Sequence, residues 1–296
     1  MIPGMHESNF TLTAPDGTAL AATRWSAEHD PTMIVQVAHG MGEHSGRYRR
    51  LAEALVGAGA AVYANDHRGH GNTAGSPERH GHLGPGGWDG LVSDLGVVGS
   101  HARSEHPDLP LVVLGHSMGS FALQRFLLDH STDIEAAVLS GTTAVDVIAA
   151  GIDPNEEVDL SAFNAPFEPA RTEYDWLSRD ADEVDAYVAD PMCGFGLVAT
   201  AAASMIEGMD GVADPERLAG IRRDLPVLLL SGDADPLAGG GSLITLVADR
   251  YREAGLTDVS VRLYPEARHE VFNETTRDEI TADLISWIER VLTAEL

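Results

Sequence analysis

Lysine is absent from this 296-residue chain, so all 19 basic residues are arginines, set against 46 aspartates and glutamates for a formal net charge of −27. A field of that sign repels phosphate backbones and acidic lipid surfaces, which argues against nucleic acid as a partner and against electrostatic docking on anionic membranes. Cysteine is nearly absent as well. Cys193 alone allows no internal disulfide and no cysteine-rich metal site, and its expected role is that of a small apolar side chain. No apolar run reaches the roughly 18 residues of a membrane span. The opening residues Met1 to Glu7 lack the basic and apolar regions of an export signal. These absences point to the cytoplasm.

What is present is enough for a large core. Hydrophobic residues make up 44% of the chain, which excludes global disorder, and strand-like runs alternate with helix-like ones. That rhythm predicts an α/β fold with a mostly parallel sheet covered on both faces. Phe10–Thr13 and Ala19–Trp25, separated by Pro15-Asp16-Gly17, read as an opening hairpin. Strands are expected at Met33–Ala38, Ala60–Ala64, Leu111–Leu114, Ala136–Ser140, Pro226–Leu230 and Val259–Tyr264. Helices are expected at Tyr48–Ala58, Trp88–Ser104, Ser242–Ala254 and Thr275–Leu292. The rhythm breaks between about Val145 and Gly220, where acidic clusters (153–159 and 180–185), prolines and helical segments such as 197–209 replace the strands. The organisation expected is therefore a core at 1–144, a helical cap inserted at 145–220, and the rest of the core at 221–296.

The sharpest motif is Gly115-His116-Ser117-Met118-Gly119, between the apolar run at 111–114 and the helical stretch from Phe121 to Leu128. A serine hydroxyl is a weak nucleophile until a base activates it. A strand–turn–helix with glycines beside the serine lifts its Oγ above the sheet edge, with amides and a helix N-terminus facing any developing oxyanion. Such a serine needs a histidine base and an orienting carboxylate, following it in that order just beyond strand ends. His269 sits in the loop after the strand at 259–264. His130, the other downstream histidine, closes the helix after Ser117 and points away from the strand ends. For the acid, Asp233 and Asp235 in Ser231-Gly232-Asp233-Ala234-Asp235-Pro236 both qualify. Asp235 is deeper in the loop and is set extended by the proline that follows, whereas Asp233 suits a turn. The loop from His39 to Tyr48 follows the strand at 33–38, and its glycines leave the Met41 amide free to join that of Met118 as an oxyanion hole.

Taken together, Gly-His-Ser-Met-Gly, His39-Gly40-Met41-Gly42-Glu43-His44-Ser45-Gly46-Arg47-Tyr48 and Asn65-Asp66-His67-Arg68-Gly69-His70-Gly71 resemble the monoacylglycerol lipase and lysophospholipase branch of the α/β-hydrolase fold. The similarity spans roughly 10–145 and 222–293. It implies a triad of Ser117, Asp235 and His269, with oxyanion donors at Met41 and Met118, and it is what separates Asp235 from Asp233. It also maps Glu43, Arg47 and His116 near the polar head of a substrate. Where some relatives carry a histidine three positions after the catalytic one, this chain has Phe272. No cofactor and no metal is expected: the histidines at 67, 70, 80 and 82 lack a convergent ligand set. The function implied is a serine carboxylic-ester hydrolase acting on monoacylglycerol-like or other small acyl esters. Transient lipid contact would run through the cap, with Phe163, Phe167, Phe195, Leu197, Val198, Met205 and Met209 as candidate acyl lining or cap core. The alternatives are a thioesterase, a lysophospholipase, a xenobiotic monoester hydrolase, an enzyme acting on peptide N-termini, or a non-catalytic ligand-binding homologue.

Overall fold

A computed structural model describes residues 4–293 apart from 151, 152, 154 and 155. Met1 to Pro3 and part of the acidic stretch at 153–159 therefore lie outside the described residues. Eight strands form one sheet: β1 (His6–Thr13), β2 (Ala19–Ser26), β3 (Met33–Ala38), β4 (Ala60–Asn65), β5 (Leu111–His116), β6 (Ala136–Ser140), β7 (Val227–Gly232) and β8 (Val259–Tyr264). Their spatial order is β1-β2-β4-β3-β5-β6-β7-β8. The hairpin β1–β2 is antiparallel, and β2 adds antiparallel to β4. All pairings from β4 to β8 are parallel.

The interior strands read as continuous apolar runs because both their faces are covered. Successive side chains divide between two cores. In β5, Leu111 and Val113 face one core while Val112 and Leu114 face the other, and β6 and β7 repeat the alternation. The first core is closed by α3 (Gly87–Glu105), α4 (Met118–His130) and α9 (Ser242–Glu253), numbered along the chain with α1 (Arg49–Gly57) and the short α2 (Gly71–Ala74). The second is closed by α1 and α10 (Arg277–Thr293).

Between β6 and β7 the described residues contain no strand. They form α5 (Val145–Ala149), two 3₁₀ segments (Leu160–Phe167 and Asp175–Leu177), α6 (Ala181–Ala189), α7 (Ala199–Gly208) and α8 (Pro215–Leu218). Here the acidic residues mark helix starts: the Asp180 and Asp214 side chains accept from the first amides of α6 and α8. Among the described residues no helix is long and apolar enough to cross a membrane.

The strand order brings distant loops together. β3 leads through α1 to β4 on one side, and β4 returns through α3 to β5 on the other. The carboxyl ends of β3 and β5 therefore flank the point where the winding reverses, the usual place for a ligand in such sheets. Ala38 pairs with Gly115, which sets the loops at 39–41 and 116–118 side by side. Gly232 pairs with Tyr264, which does the same for the loops carrying Asp235 and His269.

Candidate active site

Ser117 has φ 49° and ψ −121°, a conformation a side chain enters only under constraint. The constraint is close packing. A Cβ added to Gly115 would come within 2.5 Å of the Gly119 carbonyl oxygen, and one added to Gly119 within 2.2 Å of the Ala38 carbonyl oxygen. Only glycine lets β5, the turn and β3 approach this closely. The Ser117 amide donates to the Ser140 carbonyl at 2.9 Å, so the turn stays in register with β6.

Of the two aspartates, the structure puts Asp235 against the histidine. The His269 Nδ1–H donates to Asp235 Oδ2 at 2.8 Å, and Asp235 Oδ1 accepts from the Leu237 amide at 2.9 Å. Asp233 is exposed and accepts from the Glu266 amide at 2.7 Å, bracing a turn in which Glu266 takes φ 59°. With Nδ1 protonated by its contact to the carboxylate, Nε2 is a bare lone pair. It is buried and has no partner among the described residues. Burial pulls the imidazole pKa down, but the charge and hydrogen bond of Asp235 outweigh it, so the group titrates above its ordinary 6.5. His130 ends α4, exposed and paired with Asp133.

The Met118 amide opens α4 and has no helical carbonyl behind it. Met41 lines the same cavity as Met118, in a loop held from two sides. The Gly40 amide donates to Glu43 Oε1 at 2.6 Å, and the Gly40 carbonyl accepts from His39 Nδ1 at 2.7 Å. His39 Nε2 in turn accepts from the His67 amide at 2.8 Å, which fixes its tautomer. Burial, then the neighbouring His70, hold His39 well below the usual histidine range, so this brace stays neutral. Ser117, His269, Met41, Met118, Glu43 and His116 line one cavity together with Gly40, Tyr187 and Glu270, and the rest of its wall is apolar: Phe121, Ile148, Val158, Leu160, Phe163, Trp176, Leu177, Met205 and Leu237.

Residues 29–276 match the family described as serine aminopeptidase, S33. The chain is 34% identical to the monoacylglycerol lipase of Mycolicibacterium smegmatis over 287 residues, covering 95% of this chain and 96% of that one. It is 30% identical to monoglyceride lipase of Mus musculus, covering 96% and 91%. A carboxyl esterase from Bacillus coagulans, solved in complex with glycerol, superposes with a TM-score of 0.85 at 27% identity over 97% of this chain and 99% of that one. The chain belongs to the S33 family. It is a carboxylic-ester hydrolase with the α/β-hydrolase fold.

In this hydrolase the three positions mapped to a polar head are not equivalent. Glu43 and His116 lie on the cavity wall, whereas Arg47 lies behind it. Arg47 donates to Glu43 Oε2 at 2.7 Å and grips Glu270 with both terminal nitrogens, one at 2.7 Å to Oε2. Tyr48 donates to Glu43 Oε1 at 2.7 Å. Two buried carboxylates thus share one buried guanidinium, leaving an excess of one negative charge beside the cavity. Burial raises the Glu43 pKa, but Arg47, His116 and the Tyr48 hydroxyl together bring it below the ordinary value, so the group is ionised. The His116 pKa is lowered too: burial, then His269, push it down to about 4.

The sequence motif around residues 65–71 is a brace for the same loops. Asp66 accepts from the Ser45 amide and hydroxyl at 2.9 and 2.6 Å and from the Asn72 amide at 2.7 Å. Arg68 is bidentate to buried Asp94 at 2.7 and 2.8 Å. His67 Nε2 and His70 Nδ1 donate to backbone carbonyls, and His80 stacks on Phe195 at 4.3 Å. Cys193 packs against the cap cluster, where burial pushes its thiol pKa well up. Of the apolar cap residues expected at the acyl slot, Phe163 and Met205 line the cavity. Phe167 packs on the Arg268 guanidinium, and Leu197 and Met209 are core. Glu270 and Trp176 were not foreseen. Glu270 has a signal in hindsight, since it follows His269 directly. Trp176 lies in a stretch without strand or helix period and carries none.

Proposed function

We propose that this hydrolase cleaves esters of small neutral alcohols, monoacylglycerol-like ones first among them, by a Ser117–His269–Asp235 triad through an acyl-enzyme, with 145–220 as the cap that shapes the acyl slot. Ser117 Oγ attacks the acyl carbon and its proton passes to His269 Nε2. The negative charge on the carbonyl oxygen falls to the Met41 and Met118 amides. The C–O bond breaks as His269 returns the proton to the leaving alkoxide, and the alcohol departs. Water, deprotonated by the same nitrogen, then attacks the acyl carbon, and Ser117 leaves with the proton. The observation that carries this reading is the His269–Asp235 contact with an unpartnered Nε2 on the cavity that holds Ser117.

The surplus negative charge of Glu43, Arg47 and Glu270 bears on the substrate's head. It disfavours lysophospholipids and other anionic alcohols. It also disfavours rebinding of the carboxylate product. Peptide N-termini fit less well, because both Glu43 oxygens are already occupied by donors and offer an ammonium little. A single cysteine and an acidic surface suit a cytoplasmic enzyme.

Ser117→Ala is expected to abolish hydrolysis of p-nitrophenyl butyrate and labelling by a fluorophosphonate, with an unchanged circular dichroism spectrum; activity surviving in the folded variant overturns the assignment. In a monoacylglycerol series, kcat/KM should rise by up to about fourfold per added CH₂ while each methylene finds apolar wall. The available cavity is about 50 Å³, room for only a few waters, so the rise should level off unless the cap yields. The acid limb of the kcat/KM profile should lie above pH 6.5, since the base acts only when neutral and its pKa is raised. A midpoint at or below that value contradicts the Asp235 partnership.

A further inference from the structure

The cap is joined to the histidine loop by a continuous set of bonds. The His269 and Glu270 amides donate to the Trp176 and Leu177 carbonyls at 3.4 and 2.8 Å. The Arg268 guanidinium reaches the Asp175 and Ser178 carbonyls, and the Ser178 hydroxyl donates to the Asn273 carbonyl at 2.9 Å. Glu274, fully buried, ties both sides together. Its carboxylate accepts from the Arg179 amide and Nε at 3.1 and 2.9 Å on the cap, and from the Arg268 amide at 2.8 Å on the loop. Inside this clamp the Trp176 ring lies 4.8 Å from the His269 ring, tilted by 40°. The Trp176 amide donates to Asn164 Oδ1 at 2.9 Å and its ring packs on Phe163 at 5.1 Å, so the indole is fixed from behind.

We propose that Trp176 is a positioning residue for the imidazole of His269, and that the cap edge at 174–179 stays clamped to the histidine loop through turnover. The proposal rests on His269 being the base. An aromatic face within about 6 Å of a cation lowers the cation's energy, and during turnover the imidazolium forms when the base takes the serine proton. Trp176 therefore favours the charged intermediate while its bulk fixes the ring's orientation. The ionisable groups that act on the imidazole are Asp235, Glu270, Glu43 and His116, and the cap carboxylate next to Trp176 in the chain is Asp175. Asp175 already accepts from the Arg171 amide and the Thr172 hydroxyl. Cap movement that admits substrate then belongs to the opposite edge, around Ile148, Leu160 and Met205, which also wall the cavity.

The test compares Trp176→Leu and Trp176→Phe on p-nitrophenyl acetate, whose acyl group is too short to read the slot. Leucine keeps the site dry but removes the π face. It should cut kcat about tenfold, leave KM within about twofold, and move the acid limb of the kcat profile downward. Phenylalanine should restore most of kcat and the limb. A KM effect alone, or a limb that stays in place, makes Trp176 a mere wall residue and overturns the proposal. Trp176→Met gives the same comparison if the leucine variant melts too low. Wild-type protein that neither hydrolyses the ester nor takes a fluorophosphonate label refutes the reading of the site itself. Active wild type with an unaltered leucine variant refutes only the role of Trp176.

Discussion

Asp235→Asn is expected to lower kcat on a short ester by about four orders of magnitude while leaving the fold and KM almost untouched. The carboxylate does two things here. It accepts the Nδ1–H and so presents Nε2 as a lone pair, and in the proposed mechanism its charge stabilises the imidazolium that forms when Ser117 loses its proton. Asparagine keeps the shape, and its side-chain oxygen can still accept from the Leu237 amide. Its NH₂ then faces the imidazole, favours the tautomer with the proton on Nε2, and removes the base. The same substitution at Asp233, which supports the Glu266 turn from the surface, should change kcat by less than about threefold. Steady-state kinetics of the two variants, with thermal melts to confirm folding, decides between the aspartates. Comparable losses at both positions would mean that the loop as a whole is being read.

The second large effect is on stability. Arg47→Ala leaves Glu43 and Glu270 buried without a counter-charge, a change expected to cost about 3–5 kcal/mol and to lower Tm by roughly 10 °C. The sign of its pH dependence is diagnostic. Without Arg47 the two carboxylates favour their protonated forms in the folded state, so their folded pKa values rise above the unfolded ones. The variant's stability is then greatest below the ordinary carboxylate range and falls as pH rises through the raised values. Calorimetry at about pH 5 and pH 7.5 should show the deficit narrowing at the lower pH. A deficit independent of pH would mean that lost packing, not stranded charge, dominates.

Much of the core was legible because its elements carry local periods. β3 and β8 fall where the apolar runs place them, and the turn at Pro15-Asp16-Gly17 closes the hairpin with Thr13 opposite Ala19. The turn at Ser117 was legible because its glycines answer a steric demand that any sequence must meet there. Spatial adjacency was harder. That Asp235 rather than Asp233 meets His269 depends on the register of β7 against β8, which no local pattern encodes. The cap was least legible. Its contacts are made by short 3₁₀ segments and by single residues such as Trp176 and Arg179, whose partners His269 and Glu274 lie far along the chain. The pairing of Arg47 with Glu270 likewise spans 223 positions and leaves no trace in composition.

Close packing at the Ser117 turn also sets where this protein has freedom to change. Gly115 and Gly119 are pressed against backbone, so no side chain can be introduced there without pulling two strands apart. The cap side chains over the same chamber meet no such limit. Diversifying Ile148, Leu160, Phe163 and Met205 while holding the turn constant is the economical route to altered acyl preference, and a library randomised at the glycines should return only unfolded clones.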